Sequence, residues 1–458
     1  MKRTISRAAW SISSVVLAVS VVGLGEPVAG DDTARTARPP DTYVAAWDAV
    51  GTQAFSAAGL SPAEGHPIFA YVAIAVYDAV MAVAGGYEPF AVDIDAPDGA
   101  SYEAAVAAAA RRVLVHYLPG QAATIVEPAY ESSLATIPDG QAEMDGVATG
   151  DAVAARLIEL RAGDGFRAPV TYAPPNPPVP GVWLPTAPTP PVGTYLGLMD
   201  PFSLRTADQF RPSGPPRLDS RRWARDYNEV KDIGSSTSTT RTAEQTLAAR
   251  FWNEPPVQQA HGSFRRFVLE RELDIVDAAR FMAMISVTYA DAFIACFDAK
   301  YVYAFWRPIT AIHAGDTDGN ARTTADPAWA TLLPGTPNHP DYPSGHSCIT
   351  PAGGRVIATF LGTRAIDLTV PSLTGFGDRQ YAHVRDLEYE VSNARIWGGI
   401  HFRTAVDDGV LIGNTGQHLG ADPPFPPIAR LTLHCRVAVP TDHREPRPVA
   451  NGPQRRKA

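Results

Sequence analysis

The sequence predicts a mainly α-helical fold, and three observations carry that prediction. Apolar residues recur at helical spacing through 42–59, 68–84, 101–118 and 141–161, and again through 274–306. Strand-type alternation is sparse, and no segment repeats at a solenoid period. Proline gathers between the helical stretches, most densely at 174–191, where it supplies nine of eighteen residues.

Taken in order, the chain opens with Lys2, Arg3 and Arg7, an apolar run from Ser11 to Gly25, then Pro27-Val28-Ala29-Gly30. A basic start, a short apolar core and small residues predict a secretory signal peptide over 1–30, hence a secreted protein. Stretch 68–84 has Asp78 as its only charge and is long enough to raise the question of a membrane span. With no second span of that kind beside it, a buried core helix is expected, without stable membrane insertion. Gly146 and Gly150 cost helicity in 141–161 but permit close helix packing.

The proline-rich segment reads as a long ordered surface loop, with Trp183, Leu184, Tyr195 and Leu196 as apolar anchors. Thr242-x-x-Gln245 has the form of a capping box, opening a helix that stops before Pro255-Pro256. The longest helical pattern runs from Asp274 to Trp306, and Asp298 within it is expected to pair with a nearby cation, Lys300 and Arg307 among them. Leu387, Val391 and Ala394 form an apolar stripe leading to Arg395, and 452–458 reads as a frayed tail.

A formal net charge of −9 without a basic stripe argues against nucleic-acid binding. Cys296, Cys348 and Cys435 are too few and too scattered for a zinc site or a disulfide framework. One bridge would leave one thiol, and Cys348 reads as buried packing.

Chemistry concentrates between Lys300 and Asp408. Lys300 and Arg307 are seven residues apart, which on one helix puts them on nearly the same face, and Pro308 is expected to end that helix. Pro343-Ser344-Gly345-His346 precedes an apolar segment, so a glycine turn feeding a helix N-terminus would offer backbone N–H groups to an anion. Arg395 supplies a planar fork for two oxygens, and Gly398-Gly399 lets the chain break before His401. Fixed cations, an anion cradle and two imidazoles are equipment for holding a tetrahedral oxyanion.

These three clusters, in this order, resemble the signature of the type 2 phosphatidic acid phosphatase superfamily, K-x6-RP, PSGH, SR-x5-H-x3-D, which includes the vanadium-dependent haloperoxidases. The resemblance implies two packed helical bundles, loosely over 42–420, with site residues only in the second half. The expected division is a signal peptide (1–30), an N-terminal helical half (31–220), a C-terminal helical half with the site (221–420) and a C-terminal extension (421–458). It implies that Lys300, Arg307, Ser344, Gly345 and Arg395 hold a bound oxyanion, that His346 is the general acid/base, and that His401 ligates vanadium or, in a phosphatase, attacks phosphorus. Lys300 would also polarise bound peroxide. The implied cofactor is vanadate, with hydrogen peroxide, halide and a small organic acceptor as partners and hypohalous acid as product.

Two positions depart from the signature: Ala394 replaces its serine and Ala405 its aspartate. Asp408, on the same helical face as His401, is expected to substitute as the orienting carboxylate, and without the aspartate at 405 phosphate hydrolysis is expected to be feeble. His339, seven residues before His346, resembles the histidine of bromoperoxidases, where chloroperoxidases carry an aromatic. It reads either as a catalytic halide-tuning residue or as a polar loop residue. An acid phosphatase and a non-catalytic oxyanion-binding protein stand beside the haloperoxidase as alternatives.

Overall fold

In the computed structural model, described over residues 41–415, the chain is built of helices with two short strands. The signal peptide, the C-terminal extension and Cys435 lie outside these residues. The first five helices are α1 (Tyr43–Ala58), α2 (Pro62–Ala84), α3 (Tyr102–Tyr117), α4 (Glu127–Leu134) and α5 (Gln141–Leu160). After the proline-rich loop come α6 (Arg221–Ile233), α7 (Ala243–Phe251), α8 (Pro256–Glu270), α9 (Ile275–Tyr303) and α10 (Pro308–His313). The chain continues through α11 (Gly345–Leu361), β1 (Ala365–Val370), β2 (Arg379–His383), α12 (Val384–Trp397) and α13 (Arg403–Thr415). The strands form one antiparallel pair.

Local chemistry starts these helices where side chains satisfy orphan N–H groups. Thr242 and Gln245 form the capping box of α7, and Asp274 accepts from the N–H groups of Val276 and Asp277 to open α9. Helix α2 begins before the predicted Ile68, at Pro62, under a Ser61/Glu64 capping box. Pro67 is therefore inside it, and the Ala63 carbonyl instead accepts from Tyr195 Oη at 3.0 Å.

Helices α2 and α9 are long and apolar enough to cross a membrane by length and composition, and both are buried within the protein. They pack on each other, and one apolar core draws on residues from Val44 to Ile412. A second cluster gathers Trp223, Tyr227, Phe305, Trp306, Phe402 and Ala405. The proline-rich segment is an ordered loop whose Trp183 is buried. It pairs with the chain just after α9: Trp183 N donates to Ala304 O at 2.6 Å and Trp306 N to Gly181 O at 3.1 Å.

That pairing corrects the expected 274–306 helix. Helix α9 stops at Tyr303, where Ala304 takes a left-handed conformation with φ 43° and breaks the helical ladder. Arg307 is then the N-cap of α10, and Pro308 opens that helix instead of ending the previous one. Proline suits that first position, because a first-turn N–H has no intrahelical acceptor to lose. Asp298 pairs with neither Lys300 nor Arg307 but with Arg211, through two bonds of 2.6 and 2.8 Å.

Candidate active site

Four segments meet at the site: the end of α9, the 304–308 turn, the 337–346 loop with the start of α11, and the end of α12 with the turn after it. Cys296 of α9 and Cys348 of α11 form a disulfide, tying together the two helices that carry Lys300 and His346.

Lys300 is fully buried in the last turn of α9. Its ammonium donates to the carbonyls of Pro340 at 2.9 Å and Asp341 at 3.0 Å, and to that of Pro343. Its three N–H groups are thus committed to the 340–343 backbone, and Lys300 clamps that loop where a direct oxyanion contact was expected. Burial, then Arg307, pushes its pKa well below the usual lysine range.

Arg307, also fully buried, is the hub. Its Nε donates to His339 O at 2.8 Å, Nη2 to His339 Nδ1 at 3.0 Å, and Nη1 to Ile400 O at 2.8 Å and His401 Nε2 at 3.2 Å. On its other side, His401 Nδ1 lies 2.9 Å from Asp341 Oδ1. A guanidinium can only donate, so Nε2 must accept and Nδ1 must carry the proton it gives to Asp341. Both ends fix one tautomer, with the lone pair on Nε2.

Asp341 therefore does the work assigned from sequence to Asp408. Asp408 instead accepts from Tyr342 Oη at 2.6 Å. The predicted weakness of hydrolysis loses its physical basis, since the imidazole is held by a carboxylate despite Ala405. Asp341 sits in plain view within His339-Pro-Asp-Tyr-Pro-Ser-Gly-His346, and the one signal for it was an acidic residue two positions before the PSGH turn.

Ser344 is the N-cap of α11, buried, with Ser347 Oγ donating to its Oγ at 3.1 Å and its own N–H donating to Ala405 O at 2.8 Å. Gly345 and His346 begin the helix, where N–H groups lack intrahelical partners. Helix α12 ends at Trp397, and Gly399, at φ 80°, turns the chain toward His401. Arg395 is buried with one Nη1 bond to the Trp252 carbonyl.

Gly345, His346, Arg395, His401 and His339 line one cavity of about 250 Å³; Lys300, Arg307 and Ser344 stand behind this lining. Buried within the site, His346 Nε2 and Arg395 Nε have no hydrogen-bond partner. Burial lowers Arg307 to about 10 and Arg395 to about 9, so both remain charged at neutral pH. Burial, then Arg395, holds His346 well below the usual histidine range. Among the described residues no group of three or more His, Cys, Asp or Glu side chains could hold a metal cation. An orphaned arginine donor, an excess of cations and a single histidine lone pair suit an oxyanion such as vanadate or phosphate, which itself needs negative-charge stabilisation.

Residues 280–420 match the family model of the VCPO second helical-bundle domain. Over 85 residues the chain is 33% identical to the vanadium chloroperoxidase of Curvularia inaequalis, covering 17% of this chain and 13% of that relative. A bacterial vanadium-dependent iodoperoxidase structure superposes with a TM-score of 0.70 at 25% identity, covering 84% of this chain and 97% of the other. A holo-type bacterial vanadium-dependent chloroperoxidase gives 0.67 at 20% identity, covering 84% and 98%.

Proposed function

We propose that this chain, a member of the vanadium-dependent haloperoxidase family, is an exported enzyme that oxidises halide, bromide in preference, with hydrogen peroxide and passes hypohalous acid to a small organic acceptor. The observation that carries this reading is the single His401 lone pair held between Asp341 and Arg307 beside a cavity with Arg395 and His346. Export rests on the sequence of residues 1–30, and bromide preference on His339 at the cavity wall.

His401 Nε2 would hold the vanadate in place of the hydrogen bond it accepts from Arg307 Nη1, Arg307 and Arg395 would offset its charge, and the first N–H groups of α11 would complete the cradle. When bound, vanadate supplies an electrophilic centre that activates hydrogen peroxide toward halide. Oxidation of halide to hypohalous acid consumes a proton, so a group that holds one at the cavity is required. His346 Nε2 is unpartnered and positioned for that work. Its neutral state follows from burial among cations, and an anion beside it would raise its proton affinity. Lys300 acts one layer back, by fixing the carbonyls that set the direction of Asp341.

A second reading is favoured by one observation, the Asp341–His401 contact. Phosphate shares vanadate's tetrahedral shape, and an oriented imidazole can attack phosphorus while His346 protonates the leaving alcohol. One experiment separates the readings: the vanadate-free protein is assayed on p-nitrophenyl phosphate, then titrated with vanadate in the presence of bromide and peroxide. Oxidation that appears near one equivalent of vanadate per site supports the haloperoxidase. Phosphate turnover that vanadate merely inhibits, without oxidation, replaces it with the phosphatase. Silence in both assays with vanadate bound leaves a non-catalytic oxyanion-binding protein.

A further inference from the structure

The oxyanion site leaves one buried polar side chain of its cavity unused. Five buried polar residues line that cavity: His66, Glu254, Asn338, Arg395 and His401. Glu254 is taken by the hydroxyls of Ser372 and Thr374 and by the N–H groups of Leu373 and Thr374. Asn338 accepts from Thr186 N and donates to Thr189 O. Arg395 and His401 belong to the site already described. His66, 1% exposed, makes no hydrogen bond at either ring nitrogen.

The protein builds this histidine in firmly. It follows the first turn of α2, with Phe293 edge-on at 4.8 Å and Tyr289 at 5.6 Å. Burial lowers its pKa to about 3, so it is neutral at working pH. A neutral imidazole carries one donor and one acceptor, and each left unmet in a buried place costs about 1–3 kcal/mol. Such a residue at a cavity wall marks a place where a ligand completes the bonding.

The chemistry of the wall narrows the ligand. A halide can accept but never donate, so it could meet only the ring N–H, whereas a hydroxyl can meet whichever of the two nitrogens faces the cavity. Hydrogen peroxide can do both, but the cavity is about 250 Å³, whereas a water's share of its liquid is roughly 30 Å³. The apolar part of the lining comes from Pro62, Val192, Phe293, Phe297 and Ile349, with Phe293 directly against His66. An apolar body with one hydroxyl fits both halves of this description.

The geometry points to His66 as the hydroxyl-binding residue of an organic-acceptor subsite, which seats a small phenol in the same cavity as the oxyanion site. This rests on the haloperoxidase reading for its purpose, since a phenol held there would meet hypohalous acid before it diffuses away. Binding itself requires neither vanadate nor turnover.

The test uses full-length vanadate-free protein and two probes of nearly equal shape, p-cresol and p-xylene, with binding followed by ligand-observed NMR. The expected result is p-cresol bound about tenfold more tightly than p-xylene by the parent, one hydrogen bond's worth. In His66→Phe, which keeps a ring against Phe293 and Tyr289, the ratio should fall to near one; His66→Gln should keep part of it. An unchanged ratio in a folded His66→Phe protein, or no binding of either probe by the parent, overturns the proposal. So does loss of vanadate affinity in His66→Phe with the ratio intact, which would place His66 in the oxyanion site. Absence of vanadate-dependent bromide oxidation would sink the haloperoxidase reading while leaving the cresol ratio to report on His66 by itself.

Discussion

Replacing Asp341 by alanine removes the acceptor that fixes His401. The contact is 2.9 Å long and both side chains are essentially excluded from solvent, so no water readily takes its place. Without it the Nδ1 proton has no partner, and Arg307 alone orients the ring. Loss of such an outer partner of a metal-ligating histidine typically costs about 10- to 100-fold in affinity, or about 1.4–2.8 kcal/mol. Asp341→Ala should therefore weaken vanadate binding by about that factor in equilibrium dialysis. Any p-nitrophenyl phosphate hydrolysis should fall by more, because a nucleophilic imidazole must hold its tautomer and direction through attack without a metal bond to help. Asp341→Asn, which keeps a neutral acceptor, should lie between. The thermal midpoint is measured alongside, so that an unfolded variant is not mistaken for a mis-oriented one. A folded Asp341→Ala protein whose vanadate affinity stays within about twofold of the parent would refute the reasoning and return the orienting role to Arg307.

Three further outcomes follow from the same geometry. His401→Ala should abolish vanadate binding in dialysis while leaving helical circular dichroism unchanged; retained affinity would remove His401 from the site. His339→Phe should shift the bromide-to-chloride rate ratio with vanadate affinity held within a few-fold, although its bond to Arg307 is lost; an unaltered ratio makes His339 a loop residue. Lys300→Met leaves the carbonyls of Pro340, Asp341 and Pro343 without their donor, and at about 1–3 kcal/mol per unmet group it should lower unfolding free energy in urea by about 3 kcal/mol or more. A loss below about 1 kcal/mol would show that the clamp is dispensable.

What the sequence made legible was local. The helices at 42–59, 101–118 and 141–161 lie close to their predicted bounds, because apolar period, caps and glycines are all read within one helix length. The capping box at Thr242 and the buried stripe Leu387, Val391 and Ala394 were legible for the same reason. Helix α6 escaped because its buried Trp223, Tyr227 and Val230 are scattered among charged residues that mask the stripe. The site's errors came from distant pairings. Sevenfold spacing put Lys300 and Arg307 on one face only if the helix continued, and what stops it is backbone pairing with the proline-rich loop at Gly181 and Trp183. Asp298 found Arg211, 87 residues away, and His401 found Asp341, 60 residues away. Neither spacing has a periodicity that marks it.

The displacement of the orienting carboxylate from position 405 to 341 has a physical reason in this fold. Ala405 is 1% exposed and belongs to the apolar cluster with Trp223, Phe305, Trp306 and Phe402, while its carbonyl holds the N–H of Ser344 and so seats the N-cap of α11. A carboxylate placed there would be desolvated among aromatic rings, and an uncompensated buried charge costs several kcal/mol. At position 341 burial raises the carboxyl's pKa to about 7, but Arg307 and Lys300 oppose that shift and favour the ionised form, neighbours that position 405 lacks among its aromatic rings. Restoring the signature residue should therefore harm this protein. Ala405→Asp alone is expected to lower the unfolding free energy by about 3 kcal/mol or more, and on the Asp341→Ala background it should fail to recover vanadate affinity. Recovery to within about threefold of the parent would show that the aromatic cluster tolerates the charge and that the two positions are interchangeable, leaving the choice of Asp341 without the structural cause given to it.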